Sequence, residues 1–303
     1  MGGKTAIMFP GQGSQAVGMG RDICAIHPEA AAVFDRADQL LNRDLTELIF
    51  DGPAEILNET VNTQLAVYAM NHAAYVLYKK SGRPADFSLG HSLGEYNALV
   101  AARVIDFDEG LALVAERGSL MQEAASRRSG KMLAVLGLED DEVSRIVSDA
   151  PSGGFLSVAN YNCPGQVVVS GESTAVDVLK ERFADAGAKK VVELNVSGGF
   201  HSPLMAAAAD EFKEDLNNAE FAQASIPVCS NFTGELSSDP EVLRDALKQQ
   251  MTGSVQWTKS VKTVMNAGAG RFVELGEGKI LSGLVKRIAG SDASIDNGRN
   301  AYE

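Results

Sequence analysis

The sequence predicts an α/β protein with a large body and a small inserted domain. Short apolar runs that end at glycine turns and lead into helical stretches indicate alternating strands and helices over residues 5–125. Residues 129–196 follow a different order, strand-helix-strand-strand-helix-strand, which is the ferredoxin-like arrangement. The first pattern returns after this segment, so we expect residues 1–128 and 197–303 to form one body.

The elements of the large body follow from local patterns. The apolar run at residues 5–9 ends at P-G-Q-G and predicts a buried strand followed by a tight loop. Between residues 62 and 80 apolar side chains repeat at helical spacing, and the glycine and proline of residues 82–84 stop that helix. The remaining predicted elements are a strand near residues 87–89, helices at residues 95–102 and 107–125, and strands at residues 228–231 and 271–275.

The inserted domain has four predicted strands, with helical patterns between the first two and between the last two. The end of the chain, residues 290–303, is polar, so we expect it to be loose. The four strands are predicted at residues 132–136, 155–159, 166–170 and 190–194.

Composition and charge exclude several classes of protein. No apolar stretch reaches the roughly 18 residues that a membrane span needs, and residues 1–5 lack the apolar run of a signal peptide. We therefore expect a cytoplasmic protein with no membrane partner. The three cysteines form no C-x-x-C pair, which predicts neither a disulfide framework nor a metal site. A formal net charge of -13 would repel a polyphosphate, so no nucleic-acid partner is expected.

Residues 90–94, G-H-S-L-G, are the only G-x-S-x-G pattern in the chain. The flanking glycines allow Ser92 to occupy a sharp strand-to-helix turn with its hydroxyl exposed. Alone the pattern is weak, because roughly one chain in four or five of this length would contain it by chance. The predicted strand before it and helix after it favour a catalytic serine over a tight structural turn.

A serine hydroxyl needs a base within hydrogen-bond reach, and the chain has four histidines. His27 precedes a proline at a predicted helix start, and His72 adjoins an apolar helix stripe, so we interpret both as structural. His91 can line a pocket, but in extended backbone it would point away from Ser92. His201 lies in a glycine loop before a helix, a common setting for a functional side chain. Its alternative role is a helix-entry residue bonded to backbone.

The loop P-G-Q-G-S-Q-A at residues 10–16 follows a strand and satisfies a dinucleotide-binding fingerprint. That fingerprint needs an acidic residue about twenty positions later at the end of a second strand. Asp35 and Asp38 fall instead inside the helical run of residues 30–41. We favour a tight loop whose backbone N–H groups point at a developing oxyanion.

Arg117 lies on a predicted helix with only apolar neighbours one turn away. An arginine in that position is not a plain surface charge and needs an anion. An intramolecular salt bridge with one of the forty acidic residues and a bound anionic ligand would both satisfy it, and the residues alone favour the salt bridge.

Six motifs in order resemble the malonyl-CoA:acyl carrier protein transacylases of fatty acid synthesis and the related acyltransferase domains of polyketide synthases. This resemblance extends over residues 5–288 and implies an α/β hydrolase-like large domain, a ferredoxin-like small domain and an active site between them. The motifs are F-P-G-Q-G-S-Q at residues 9–15, G-H-S-L-G-E-Y at 90–96, E-R-G with M-Q-E-A at 116–124, N-C-P-G-Q-V at 162–167, G-G-F-H-S at 198–202 and V-Q-W at 255–257.

The resemblance implies a catalytic role for each of five residues. Ser92 would be acylated, and His201 would be its general base. The backbone carbonyl of Gln250, rather than a carboxylate, would hold the histidine. The oxyanion hole would consist of the backbone N–H groups of Gln12 and Leu93.

The resemblance also implies how the acyl group is selected. Arg117 would bind the free carboxylate of malonyl in a bidentate pair. Phe200, the residue before the histidine, accompanies malonyl in the family, where serine accompanies methylmalonyl. The other implied substrate-binding residues are His91, Met121 and Asn162.

The implied reaction is a ping-pong transfer with malonyl-CoA and acyl carrier protein as partners. The coenzyme A thioester is a substrate, and neither a bound cofactor nor a metal is expected. Because the carrier and this chain are both acidic, we expect docking at Lys189 with Lys190 or at Lys286 with Arg287. The oligomeric state stays open, with a monomer among the options.

Three alternatives remain at this stage. A discrete polyketide synthase acyltransferase would share every motif, although residues 281–288 are more similar to the fatty-acid enzymes. A serine esterase would usually supply an acidic third residue between Ser92 and His201. A non-catalytic carrier-binding module would not need Ser92, His201 and Arg117 together.

Overall fold

The structure is a computed structural model that describes residues 3–150 and 154–297. In chain order its strands are β1 (Lys4–Phe9), β2 (Phe87–Gly90), β3 (Gly130–Leu136), β4 (Leu156–Cys163), β5 (Gln166–Glu172), β6 (Lys190–Glu193), β7 (Val228–Cys229), β8 (Leu236–Ser237), β9 (Ala269–Glu274) and β10 (Ser294–Asn297).

The helices surround two sheets built from these strands. They are α1 (Arg21–Ile26), α2 (Pro28–Leu41), α3 (Leu45–Asp51), α4 (Ala54–Leu57), α5 (Thr60–Lys80), α6 (Gly94–Ala101), α7 (Phe107–Arg127), α8 (Asp140–Ser148), α9 (Ser173–Asp185), α10 (Ala206–Asn218), α11 (Pro240–Gln250), α12 (Trp257–Asn266) and α13 (Ile280–Ala289), with a 3₁₀ turn at Pro203–Met205.

The larger sheet has six strands in the order β10-β9-β1-β2-β7-β8. Its central strand β1 is parallel to β2 and β9, and only β7 with β8 is antiparallel. Side chains alternate across a strand, and β1 uses both faces. Ile7 and Phe9 pack in the core that contains α2, α5 and α7, whereas Ala6 and Met8 pack in the core that contains α12 and α13. Helices therefore cover both faces, which is the α/β architecture that the sequence predicts.

The smaller sheet has four antiparallel strands in the order β4-β5-β3-β6. The same alternation sends Leu133 and Val135 of β3 into a core shared with α8 and α9. Met132 and Ala134 belong instead to the core of the large body. One face of this sheet is thus closed by its own helices, and the other faces the large body.

Most predicted elements coincide with observed ones, but the predicted loose tail is wrong where it can be compared. Ser294–Asn297 form β10, which pairs in parallel with β9. A guanidinium-carboxylate pair between Arg271 and Asp296, with the Nη2 to Oδ2 distance at 2.5 Å, reinforces the pairing. Sequence polarity concealed this edge strand because its ladder hydrogen bonds come from backbone groups, which every residue type except proline can supply in full. Residues 298–303 of the predicted tail lie outside the described residues.

Other structural interpretations can also be compared with the structure. His27 precedes Pro28 at the start of α2, as expected for a helix-entry residue. Cys24, Cys163 and Cys229 are free thiols that form no disulfide. Within residues 3–150 and 154–297, no helix combines the length and apolarity of a membrane span, and no cluster of three potential metal ligands occurs.

His72 belongs to the packing of α5 against α7 and provides a test of this core. Its ring centroid lies 4.5 Å from that of Phe107 and 5.9 Å from that of Tyr75. Burial, and secondarily the charge of Lys79, lowers the pKa of His72 from 6.5 to about 4. Between these two values the unfolded chain binds a proton that the folded chain does not, so stability is lost as the pH falls through the ordinary histidine range.

We predict that His72→Phe reduces the pH dependence of the free energy of unfolding. The phenyl ring retains the aromatic packing but cannot bind a proton in the unfolded state. Between about pH 7 and about pH 5, the variant should lose about 1 to 2 kcal/mol less stability than the wild type. Urea unfolding at the two pH values measures this difference, and equal losses in both proteins would contradict the assignment.

Candidate active site

A cavity of about 190 Å³ lies between the two sheets. The large body contributes the loop after β1, the β2-α6 turn and α7, while the small sheet contributes β3, β4 and β5. Of the residues that the sequence singles out, those in this cavity wall are Gln12, His91, Ser92, Leu93, Arg117, Met121, Asn162, Phe200 and His201. Gln250 lies directly behind the wall and contacts the site through its backbone and its side chain.

The β2-α6 turn places Ser92 in left-handed backbone, with φ at 51°. Two glycines make this sharp turn possible. A Cβ at Gly90 would lie 2.0 Å from the carbonyl of Gly94, and a Cβ at Gly94 would lie 2.1 Å from the carbonyl oxygen of Phe9. A non-glycine residue with positive φ costs of order 1–3 kcal/mol and persists only where its surroundings fix it.

Two amide side chains fix the backbone of this turn. The N–H of Ser92 donates to Oδ1 of Asn231 at 2.6 Å, and its carbonyl accepts from Nε2 of Gln250 at 2.8 Å. Asn231 also donates from Nδ2 to the carbonyl of Gly90 at 2.5 Å. Both peptide groups of Ser92 are therefore held by side chains from distant parts of the chain.

His201 contacts the serine hydroxyl directly. Its Nε2 lies 2.8 Å from Oγ of Ser92. Its Nδ1 lies 2.9 Å from the carbonyl oxygen of Gln250 and 3.2 Å from that of Gly253. Carbonyl oxygens only accept, so Nδ1 carries the proton and Nε2 accepts from the hydroxyl. Within the part of the chain that the structure describes, the ring has no carboxylate partner.

The surroundings of His201 keep its ring neutral. The residue is 4% exposed. Burial is the largest cause, and the charge of Arg117 the next, of a shift that lowers the pKa of His201 to about 3. The unprotonated ring is the form that accepts a proton from a nucleophile, so this histidine is in the basic form at neutral pH.

Arg117 of α7 is 1% exposed and contacts neutral acceptors. Nη1 donates to Oε1 of Gln64 at 2.6 Å, and Nη2 donates to Oε1 of Gln250 at 2.9 Å and to Oγ of Ser92 at 3.1 Å. Its Nε has no partner. Among the described residues no carboxylate lies within ion-pair distance of the guanidinium, so the salt bridge favoured by the residue pattern alone is wrong.

The loop after β1 packs against the serine turn. A Cβ at Gly11 would lie 2.4 Å from the carbonyl oxygen of His91, so only glycine allows this approach. Gln12 and Leu93 both belong to the cavity wall, as does Ser92. Neither backbone N–H donates to a protein acceptor within residues 3–150 and 154–297.

The remaining predicted residues form the walls around the serine. His91 directs Nε2 towards Oδ1 of Asn162 at 2.9 Å. Its ring also lies 5.5 Å from that of Trp257, and burial lowers its pKa. Phe200 and Met121, 4% and 2% exposed, supply apolar surface.

Sequence reasoning missed three polar residues that organise the site, Gln64, Glu95 and Asn231. Gln64 gave no signal of its own because it lies in a helix where 15 of the 21 residues are buried, several of them polar. Asn231 follows β7, and the carboxyl ends of parallel strands are where α/β sites lie, which is the one signal that could have identified it. Glu95 is 2% exposed, although nothing in its local pattern indicates burial.

Comparisons with known proteins give one consistent result. A family model described as acyl transferase domain matches residues 7–290. A malonyl CoA-acyl carrier protein transacylase of Bacillus subtilis is 39% identical over 286 residues, which cover 94% of this chain and 90% of that protein.

Solved structures agree with the sequence comparison. An acyl carrier protein S-malonyltransferase from Vibrio cholerae matches with a TM-score of 0.93 and 40% identity, covering 97% of this chain and 96% of that one. A malonyl-transacylase in complex with its type II PKS acyl-carrier protein matches with a TM-score of 0.94 and 38% identity, covering 98% and 96%.

We predict that Arg117→Met raises the pKa of His201. The substitution keeps an unbranched side chain in the core but removes the charge that disfavours the imidazolium, while burial still holds the pKa below 6.5. Nuclear magnetic resonance titration of labelled histidine rings, assigned with a His201→Gln variant, measures the shift. An unchanged titration of His201 would show that the two groups are not coupled.

Proposed function

We propose the chemistry of this site from one premise: the chain belongs to the acyl transferase domain family, whose model matches its residues 7–290. It transfers a malonyl group from malonyl-CoA to an acyl carrier protein, the activity that the names of its relatives state for them. The observation that carries the assignment is the buried Arg117, which has neutral partners only and adjoins a hydrogen-bonded serine and histidine.

The first half of the proposed reaction acylates Ser92. Nε2 of His201 takes the hydroxyl proton as Oγ attacks the thioester carbonyl of malonyl-CoA. The N–H groups of Gln12 and Leu93 would stabilise the oxyanion of the tetrahedral intermediate. Its collapse breaks the carbon-sulfur bond, and the coenzyme A thiolate leaves with the proton from the imidazolium. The product is a malonyl ester on Ser92.

The second half passes the malonyl group to the carrier. The phosphopantetheine thiol gives its proton to His201 as the sulfur attacks the ester, and Ser92 takes the proton back as it leaves. The carbonyl of Gln250 would hold the ring in the same orientation throughout. Both steps need only acyl and proton transfer, so the proposed reaction uses the coenzyme A thioester as substrate and no bound cofactor.

Arg117 is proposed to bind the malonyl carboxylate. Its guanidinium is buried, its Nε has no protein partner, and it lies in the cavity wall next to the nucleophile. A carboxylate placed there would gain a charge-assisted pair with planar geometry. The substrate would also contact His91, Met121, Asn162 and Phe200, the cavity-wall residues that the family resemblance implies.

We propose the finer domain assignment on the same basis. Residues 1–128 and 197–303 would be an α/β hydrolase-like domain, which is supported by the parallel strands and by the nucleophile turn between β2 and α6. Residues 129–196 would be a ferredoxin-like domain, which is supported by the strand order β4-β5-β3-β6 and by α8 and α9 on one face.

The carrier is proposed to dock beside α13 rather than at β6. Ile280 and Leu281 at the start of this helix line the cavity, and Lys286 lies further along the same helix. Arg287 donates a hydrogen bond to the side chain of Gln166 at 2.7 Å, so Lys286 is the better candidate of the predicted pair.

We assign the carrier to fatty acid synthesis in the cytoplasm. A polyketide carrier is the alternative, since one relative is complexed with a type II PKS carrier.

We predict that Ser92 becomes malonylated when the purified protein is mixed with malonyl-CoA. Mass spectrometry of proteolytic peptides should locate the adduct on Ser92, with no adduct in Ser92→Ala. His201→Ala should slow formation of the adduct by about 10²-fold to 10⁴-fold, the usual contribution of a positioned base. Absence of the adduct from the wild type, or its persistence in Ser92→Ala, would refute the proposed chemistry.

We predict that Arg117→Ala loses malonyl transfer while acetyl transfer is maintained or rises. A charge-assisted pair contributes about 1.5 to 3 kcal/mol, so kcat/KM for malonyl-CoA should fall roughly tenfold to more than a hundredfold. Arg117→Lys should recover only part of this loss because it lacks the planar fork. Equal losses for malonyl-CoA and acetyl-CoA in a folded variant would assign Arg117 a structural role.

A further inference from the structure

Glu95 is a buried carboxylate to which the reaction described above gives no role. It lies in the first turn of α6, three residues after the nucleophile, and is 2% exposed. No cation lies within ion-pair distance of it in the part of the chain that the structure describes. Burying an unpaired carboxylate costs several kcal/mol unless hydrogen bonds compensate. The hydrogen-bond partners of Glu95 are therefore the place to look for its role.

Both oxygens of Glu95 accept hydrogen bonds from residues that hold the site. Oε1 accepts from the backbone N–H of Asn231 at 3.1 Å, and Oε2 accepts from Nε2 of Gln250 at 2.7 Å. Burial raises the pKa of Glu95 to about 7, and these hydrogen bonds, followed by the charge of Arg117, oppose that rise. The ionised carboxylate is the form that accepts from both donors at once.

The side-chain amide of Gln250 donates both of its hydrogens and accepts one hydrogen bond. Nε2 donates to Glu95 and to the carbonyl of Ser92, and Oε1 accepts from Nη2 of Arg117. The amide nitrogen and oxygen are similar in size, so their assignment must follow from the partners. Glu95 and the carbonyl of Ser92 offer only acceptors, whereas Arg117 offers only a donor. A single orientation of the Gln250 amide therefore satisfies all three partners.

An inverted amide would place an NH₂ group against the guanidinium. That orientation would remove an acceptor from Arg117 and set donors against each other. The carbonyl of Ser92 alone could not fix the orientation strongly, because it is one neutral acceptor. A carboxylate at the same nitrogen provides a stronger, charge-assisted hydrogen bond.

We propose that Glu95 is a positioning residue for acyl-group selection, which fixes the amide of Gln250 so that Gln250 holds Arg117 in place to receive the carboxylate of the substrate. This role rests on the proposed function of Arg117. Glu95 acts through Gln250, and the order of contacts is carboxylate, amide, guanidinium. Its second hydrogen bond, to Asn231, supports the serine turn and serves every acyl group equally.

Glu95→Gln disturbs these contacts and shows which of them governs the choice of acyl group. Glutamine offers one acceptor where the site contains two donors, so one N–H must face either Asn231 or Gln250. We expect the ratio of kcat/KM for malonyl-CoA to that for acetyl-CoA to fall at least about tenfold, mainly through the malonyl constant. A merely structural effect on the serine turn would lower both constants by the same factor.

A double-mutant cycle tests whether Glu95 acts through Gln250. Gln250→Met removes the amide but keeps the backbone carbonyl that faces His201, and it should also lower the ratio. If Glu95 works through this amide, adding Glu95→Gln to Gln250→Met should change the ratio little, whereas independent effects would multiply. Gln250→Met keeps the inference refutable if Glu95→Gln does not fold, because an unchanged ratio in Gln250→Met breaks the link to Arg117.

Glu274→Gln is the matched control. Glu274 is also fully buried, and its two oxygens accept from the N–H groups of Leu281 and Ser282 at 2.9 and 2.8 Å. The same substitution there should lower Tm and leave the substrate ratio as in the wild type. An unchanged ratio in folded Glu95→Gln, or multiplicative effects in the cycle, would overturn the inference. A wild type that forms no malonyl ester would instead refute the proposed function itself.

Discussion

The organisation of the cleft depends on one buried cation. Arg117 is 1% exposed and has no carboxylate partner among the described residues, yet it makes three hydrogen bonds to neutral oxygens. Neutral acceptors can hold a guanidinium in position without neutralising it. The charge therefore acts on the cavity, where it lowers the pKa of His201, although Glu95 also attracts it.

Gln250 connects the parts of this arrangement. Its carbonyl oxygen meets Nδ1 of His201, its amide oxygen meets Arg117, and its amide nitrogen meets the carbonyl of Ser92. One residue at the end of α11 thus orients the base, the cation and the nucleophile turn. Such sharing makes the three groups move together, so a displacement of α11 would disturb all of them.

Local sequence patterns predicted most of the secondary structure and pointed to Ser92 and Arg117. The strand, glycine turn and helix around Ser92 could be predicted because the residues that form the turn are neighbours in sequence. The order of strands in residues 129–196 could be predicted for the same reason. The apolar neighbours of Arg117 correctly indicated burial, although the residues alone pointed to a salt bridge that does not form.

The missed residues are those whose partners are distant in the chain. Asn231 caps a peptide group 139 positions away, and Gln250 bonds to Glu95 across 155 positions. No local period encodes such contacts, because they exist only after distant segments of the large body have assembled. The edge strand β10 was missed for a related reason, since its partner β9 supplies the pairing and three of its own four side chains are polar.

The backbone of the site is strained at two residues, and this strain lowers the stability of the folded protein. Ser92 and His201 are both non-glycine residues in left-handed conformation, with φ at 51° and 55°. Each such residue costs of order 1–3 kcal/mol, against a total stability of about 5–15 kcal/mol for a typical protein. Packing elsewhere in the molecule must therefore contribute enough to the free energy of unfolding to offset this strain. Substitutions that weaken packing far from the cleft therefore draw on the same stability that holds Ser92 and His201 in place, although they touch no substrate.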